Sequence, residues 1–421
     1  MSDYLPSTKG SYRIYVLVVL AISNLFGFMD RQIMAILIED IGAEYALSDT
    51  HRGILLGLAF ALFYALLGIP IARLADLWNR KNIIAISVAL WSIATALSGA
   101  STGFWTLFVT RVGVGVGEAG GTPPSHSIIS DYFRKLELTR ALSIYSLGTI
   151  FGGALGLALG GLFSELYGWR IAFVVVGLPG VLLGLIIYLT VREPKRGHFD
   201  SDYVQGDSQI PLWINIRMLW VNRPYVGALS AYVTASVVGL VVISWVPAIM
   251  ARNYGLGKPE IGLYFGAALL IGGTLGLLAG GAVSDYLARR DVRWLGWVPA
   301  IACLLFMPLS QWALFHENVL ISTFIVSGAI FFFTVTMAPG LSIVQQCVRP
   351  DQRALAASFV YFFSSLFATG VGPTLAGWLS DYFQPVYGLR SLTYAVSLVC
   401  LLIVPAAITF YWTGNQLRRR S

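Results

Sequence analysis

The chain alternates long apolar runs with short polar breaks. A helix needs about 20 largely apolar residues to cross the hydrocarbon layer of a membrane. Twelve stretches satisfy that rule: 14–38, 53–75, 82–101, 104–128, 140–165, 169–191, 224–251, 260–287, 294–314, 318–347, 354–381 and 388–413. Six fall on each side of residues 192–223. That middle stretch opens as a polar linker, "REPKRGHFDSD", and continues as "PLWINIRMLW", where Leu212, Trp213, Ile216, Leu219 and Trp220 share one helical face. The pattern predicts two six-helix bundles, 1–191 and 224–421, joined by a cytoplasmic linker, 192–223, that carries an interfacial amphipathic helix.

Composition supports the same class. Of 421 residues, 57% are hydrophobic and 12% charged, against roughly 25% charged in soluble domains. An all-α membrane protein is expected. The net charge of +7 is no sign of nucleic acid, because the basic residues are scattered over short loops and form no stripe. Their placement sets orientation instead. With the N-terminus inside, even-numbered loops and both tails hold about 21 of the Lys and Arg residues and odd loops about five. Both termini are expected to be cytoplasmic. The first apolar run is too long for a signal peptide and no cleavage site follows it. No N-x-[ST] sequon occurs, which fits a bacterial inner membrane. Cys303, Cys347 and Cys400 stand far apart in apolar runs, so neither a disulfide framework nor a metal site is expected, and no cofactor is implied.

Four charges lie inside spans. Span one carries Asp30 and Arg31 in "FMDRQ", and span four carries Arg111 and Glu118 in "RVGVGVGEAGGTPP". Seven residues place the latter two near one helix face, about 10 Å apart along the axis. Each charge would cost about 2.5–3.5 kcal/mol if it faced lipid, so all four should face the bundle interior and pair. GVGEAG also fits the dinucleotide pattern GxGxxG, but it lies within a membrane span and not between a strand and a helix, so the match is accidental. Its glycines should thin one face of span four, and Pro123 and Pro124 should kink or stop that helix. "GTIFGGALGLALGG", Gly148–Gly161, predicts close approach of span five to a neighbour. His126 is a secondary candidate for a proton path.

The two halves echo each other. "ARLADLWNRK" (Ala72–Lys81) and "GAVSDYLARR" (Gly281–Arg290) each end the second span of their half, and "GGLFSELYGWR" (Gly160–Arg170) pairs with "AGWLSDYFQPVYGLR" (Ala376–Arg390). Two matches about 210 residues apart imply an internal duplication, the architecture of many secondary transporters.

On these residues the chain resembles the major facilitator superfamily. "ARLADLWNRK" is similar to the family's loop motif GxLxDRxGRK, with Ala72, Leu77 and Asn79 as departures. "MDRQ", "GVGEAG" and the following "ISDYF" are similar to its spinster branch, whose members are exporters of lysophospholipids and sphingolipids. The resemblance implies a fold of twelve transmembrane helices in two pseudo-symmetric bundles. It also implies proton switching at Asp30, Arg31, Arg111 and Glu118, and an inner gate at the loop aspartates: Asp76 with Arg80 and Lys81, and Asp285 with Arg289 and Arg290.

The second half carries no central charge. Its expected lining includes Tyr232, Thr334 and Tyr361, which with Arg31 and Arg111 form the candidate substrate contacts; Ser236, Thr336 and Ser358 are further candidates. A cavity charged on one side and apolar on the other suits an amphipathic lipid substrate and protons, carried by alternating access through a monomer. Two alternatives remain: a proton-coupled symporter of small organic anions, and a sensor built on the same scaffold. An enzyme is not expected, since GxxxxGK[ST] and HExxH are absent and the longest loop is too short for a catalytic domain.

Overall fold

A helix satisfies its own backbone hydrogen bonds, as a hydrocarbon environment demands, and the apolar runs fold accordingly. The computed structural model describes residues 10–195, 212–349 and 352–418, and no strand occurs among them. Before the linker lie α1 (Gly10–Glu44), α2 (Asp49–Gly53), α3 (Ala59–Leu77), α4 (Arg80–Ser98), α5 (Phe104–Glu118), α6 (Thr122–Tyr132), α7 (Lys135–Tyr167) and α8 (Trp169–Thr190). After it come α9 (Leu212–Val221), α10 (Arg223–Tyr254), α11 (Lys258–Ala288), α12 (Trp294–Phe315), α13 (Val319–Val335), α14 (Met337–Gln346), α15 (Arg353–Phe363), α16 (Gly372–Tyr387), α17 (Ser391–Cys400) and α18 (Ile403–Arg418). Two π-helical stretches, Ile54–Leu58 and Ser364–Val371, join α2 to α3 and α15 to α16.

Five of the twelve expected spans are each built from two α-helices: α2–α3, α5–α6, α13–α14, α15–α16 and α17–α18. Ten described stretches are individually long and apolar enough to cross a membrane. One of these, Leu355–Arg418, holds the last two spans, and α5–α6 is not among the ten because the helix breaks after Glu118. Pro123 and Pro124 follow that break in the first turn of α6. Most of the polar linker, from residue 196 to 211, lies outside the described residues. In α9, Leu219 is buried while Trp220 packs edge-on against Phe359 and Phe363 at 5.9 and 5.8 Å.

The chain forms two compact units, Met1–Ile41 with Ala59–Asp207, and Gly42–Leu58 with Ser208–Ser421. In the first, α7 lies against α1. A Cβ on Gly148 or Gly156 would stand 2.6 Å from the carbonyl oxygens of Ala21 and Met29, and one on Gly152 would overlap that of Leu25. The four-residue spacing on α7 thus matches a four-residue spacing on α1, and backbone meets backbone. The second unit repeats the device: Gly272, Gly276 and Gly280 of α11 fit against the carbonyls of Ser327, Phe331 and Val335 along α13.

The second sequence echo has a structural meaning. Gly168 and Gly388, from "YGWR" and "YGLR", both end helices with positive φ, at 84° and 54°, where a side chain would be strained. Ser164 and Ser380 each donate to an aspartate, Asp40 at 3.4 Å and Asp49 at 2.6 Å. One departure from the loop motif is also accounted for. Asn79 is the N-cap of α4, its side-chain oxygen accepting from the Asn82 amide at 3.2 Å.

Candidate functional site

The four embedded charges meet between α1 and α5 in the first unit. The glycines of α5 let it approach α4 and α3 closely. A Cβ on Gly117 would lie 2.6 Å from the Trp91 amide nitrogen of α4, and one on Gly115 would overlap the Phe60 carbonyl of α3. Asp30, Arg111 and Glu118 are 1%, 2% and 6% exposed, whereas the Arg31 side chain retains 23%.

The pairing runs between helices. Arg31 Nε and Nη2 both donate to Glu118 Oε2, at 2.7 and 2.5 Å. Arg111 faces Asp30, and its Nη2 reaches the Asp30 backbone oxygen at 3.5 Å. The Asp30 carboxylate has Arg111, Glu118 and the Thr95 hydroxyl as its electrostatic neighbours. Glu118 thus takes Arg31 of α1 as its partner, whereas Arg111 Nη1 and both oxygens of the buried Asp30 carboxylate make no hydrogen bond among the described residues. Three rings surround the Arg31 guanidinium carbon: Phe28 at 4.9 Å, Phe60 at 4.4 Å and Tyr64 at 5.2 Å. His126, on α6, meets the Tyr145 ring edge-on at 5.0 Å, and Tyr145 is in turn an electrostatic neighbour of Glu118.

In the second unit, Tyr232 on α10 and Tyr361 on α15 are electrostatic neighbours, and Tyr361 is 58% exposed. The hydroxyls behave differently. Thr334 donates to carbonyls of its own helix, Ile330 at 3.0 Å and Phe331 at 3.1 Å. Ser236, Thr336 and Ser358 do likewise, to Tyr232, Phe333 and Leu355. Such bonds satisfy the hydroxyl within its helix.

Of the loop aspartates, the Asp76 side chain lies outside the described residues. Arg80 is 3% exposed and closes a buried cluster: Nη1 to Asp131 at 2.6 Å and Ser127 at 2.7 Å, Nε to Glu193 at 2.6 Å. The Lys81 amide bonds the other Glu193 oxygen at 3.0 Å. This ties the start of α4 to α6 and to the segment after α8. Asp285 and Arg289 are exposed on α11, and neither makes an ion pair among the described residues; Arg290 lies over the Tyr286 ring.

Sequence reasoning assigned no role to Asp131 or Glu193, although "ISDYF" and "REPK" contain them. It also passed over a second cluster. Asp49 accepts from Arg252 at 2.6 and 2.7 Å and from Arg52 at 3.2 Å, while Asp381 accepts the amides of Asp49 and Thr50, both at 2.9 Å. The only sequence signal was the "SDYF" of the second echo, which contains Ser380 and Asp381.

Comparison with known proteins identifies the family and the fold. The family model for the Major Facilitator Superfamily matches residues 20–367 and 241–421. An MFS-type efflux pump of Mycolicibacterium smegmatis is 31% identical over 405 residues, covering 96% of this chain and 92% of that protein. The sphingosine-1-phosphate transporter SPNS2 of Danio rerio is 28% identical, covering 94% and 83%. A crystal structure of a bacterial homolog to the human lysosomal transporter spinster superposes with a TM-score of 0.87 at 27% identity, covering 98% of both chains. The chain thus belongs to the major facilitator superfamily, where it is similar to the spinster proteins and is a multi-pass membrane transporter, not an enzyme.

Proposed function

We propose that this transporter couples proton movement to the passage of an amphipathic, lipid-like substrate with an anionic head by alternating access. It would act as a monomer in a bacterial inner membrane with both termini cytoplasmic. The observation that carries the reading is the buried set of two acids and two arginines, with Arg31 paired to Glu118 and Arg111 an electrostatic neighbour of an Asp30 carboxylate that makes no hydrogen bond among the described residues. A static role explains it poorly, because well-packed apolar residues would hold the helices together as well or better. Fully ionised, the four charges sum to zero. Protonating Glu118 or Asp30 leaves an arginine short of its partner and able to attract an anion, so proton and substrate binding become linked.

The Danio rerio relative supports this substrate class, since it transports sphingosine-1-phosphate, an amphipath with an anionic head. We extend the gating role to both loop motifs, Asp76 with Arg80 and Lys81, and Asp285 with Arg289.

Liposomes containing the purified chain test this. An imposed proton gradient should drive flux of a lysophospholipid or a sphingoid phosphate. Gradient-driven flux of small organic anions alone would favour the symporter alternative, and binding without flux would favour a sensor.

A further inference from the structure

The two buried arginines are not equivalent. Arg111 is 2% exposed and sits against Asp30, whereas the Arg31 side chain keeps 23% of its surface accessible. Arg31 also spends two donors on one oxygen of Glu118. Its remaining anchorage is three aromatic rings and the Tyr64 hydroxyl. Phe28 lies one turn before it on α1, and Phe60 and Tyr64 lie one turn apart on α3, stacked on each other at 5.4 Å. A guanidinium stacks on ring faces and keeps its in-plane donors free.

We infer that Phe28, Phe60 and Tyr64 are positioning residues, a cage that holds Arg31 as the receptor for the anionic head of the substrate, while Arg111 remains with Asp30. The inference rests on the anionic-head reading above and adds which arginine receives the head and what holds it. Without a cage, loss of the Glu118 charge would let a long, flexible side chain swing away. With it, the two donors released from Glu118 stay where they are and pass to an incoming phosphate or carboxylate.

The test is binding to the purified full-length chain, with lysophosphatidylglycerol as the anionic probe and monoolein as a neutral probe of similar shape. Phe60→Leu and Tyr64→Leu should each weaken anionic binding about five- to tenfold and leave monoolein binding within twofold. Phe60→Tyr, which keeps a ring, should retain the anionic affinity. Glu118→Gln should tighten anionic binding in the parent and not in the Phe60→Leu background. Equal weakening of both probes would mean that the rings only maintain the fold, and no change for either would mean that they do not position Arg31; each overturns the inference. The substrate reading fails on a different sample, the parent protein, if that shows no preference for the anionic probe.

Discussion

At the scale of single residues, charge in an apolar setting decides the behaviour. Glu118 is 6% exposed and holds Arg31 through one oxygen. Glu118→Gln keeps the shape and a hydrogen-bond acceptor but fixes the side chain as neutral. The variant should therefore fold, while proton-driven flux into liposomes disappears and substrate counterflow, which needs no net proton movement, persists. Undiminished gradient-driven flux would remove Glu118 from the mechanism. A second residue-scale prediction concerns Glu137, outside the membrane spans. Two hydrogen bonds from Arg13, at 2.6 and 3.0 Å, hold its carboxyl below the usual range. A carboxylate with a depressed folded-state value contributes stability above its unfolded value and loses it as pH falls through the folded one. The parent should melt slightly above Glu137→Gln at pH 7, and the difference should close on acidification below the ordinary carboxylate range. The pair is solvent-exposed, so the effect is small and should shrink further in high salt.

At the scale of elements, helix contacts are set by where side chains are missing. On α7, a Cβ at Gly152 would meet only backbone atoms of Leu25, which cannot swing aside as a side-chain end would. Gly152→Ala should cost about 1–3 kcal/mol by overpacking. Gly281, on α11, has nothing within 4 Å of an added Cβ, and Gly281→Ala should be neutral or stabilise by about 0.4–1 kcal/mol. Unfolding in detergent measures both, and equal effects would contradict the packing account. The glycine spacing of span five was legible in the sequence because a four-residue period is local. Its partner, α1, was not, since nothing in that helix marks the matching face. The same limit applies to the charges. Asp30, Arg31, Arg111 and Glu118 stood out because they interrupt apolar runs, whereas Asp49, Asp131, Glu193 and Arg252 lie near span ends, where charge is ordinary. Apart from the local Asp49–Arg52 contact, their ion-pair partners are 51 to 203 residues away, and only the folded chain joins Arg80 to Asp131 and Glu193.

At the scale of the whole molecule, the chain clusters into two compact units, and Gly42–Leu58, from the first half of the sequence, belongs with the second. The cause is specific. Asp49 is bound by Arg252 and Ser380, and Gly53 fits so closely that a Cβ would lie 2.5 Å from the Pro373 carbonyl. Each unit thus has its own buried ionic fastening, Arg80 with Asp131 and Glu193 in one, Asp49 with Arg252 in the other, and the two share no residue. Removing one partner of a buried pair strands the other charge and costs about 3–5 kcal/mol. Asp131→Asn and Arg252→Gln should each fall toward the lower end of that range, because Arg80 keeps Glu193 and Asp49 keeps Arg52. Effects at independent sites add within about 0.3–0.5 kcal/mol. The double variant should therefore lose the sum of the two single losses when unfolding is followed by denaturant titration in detergent. A shortfall beyond that margin would show that the two fastenings are energetically coupled and that the units do not hold themselves together separately.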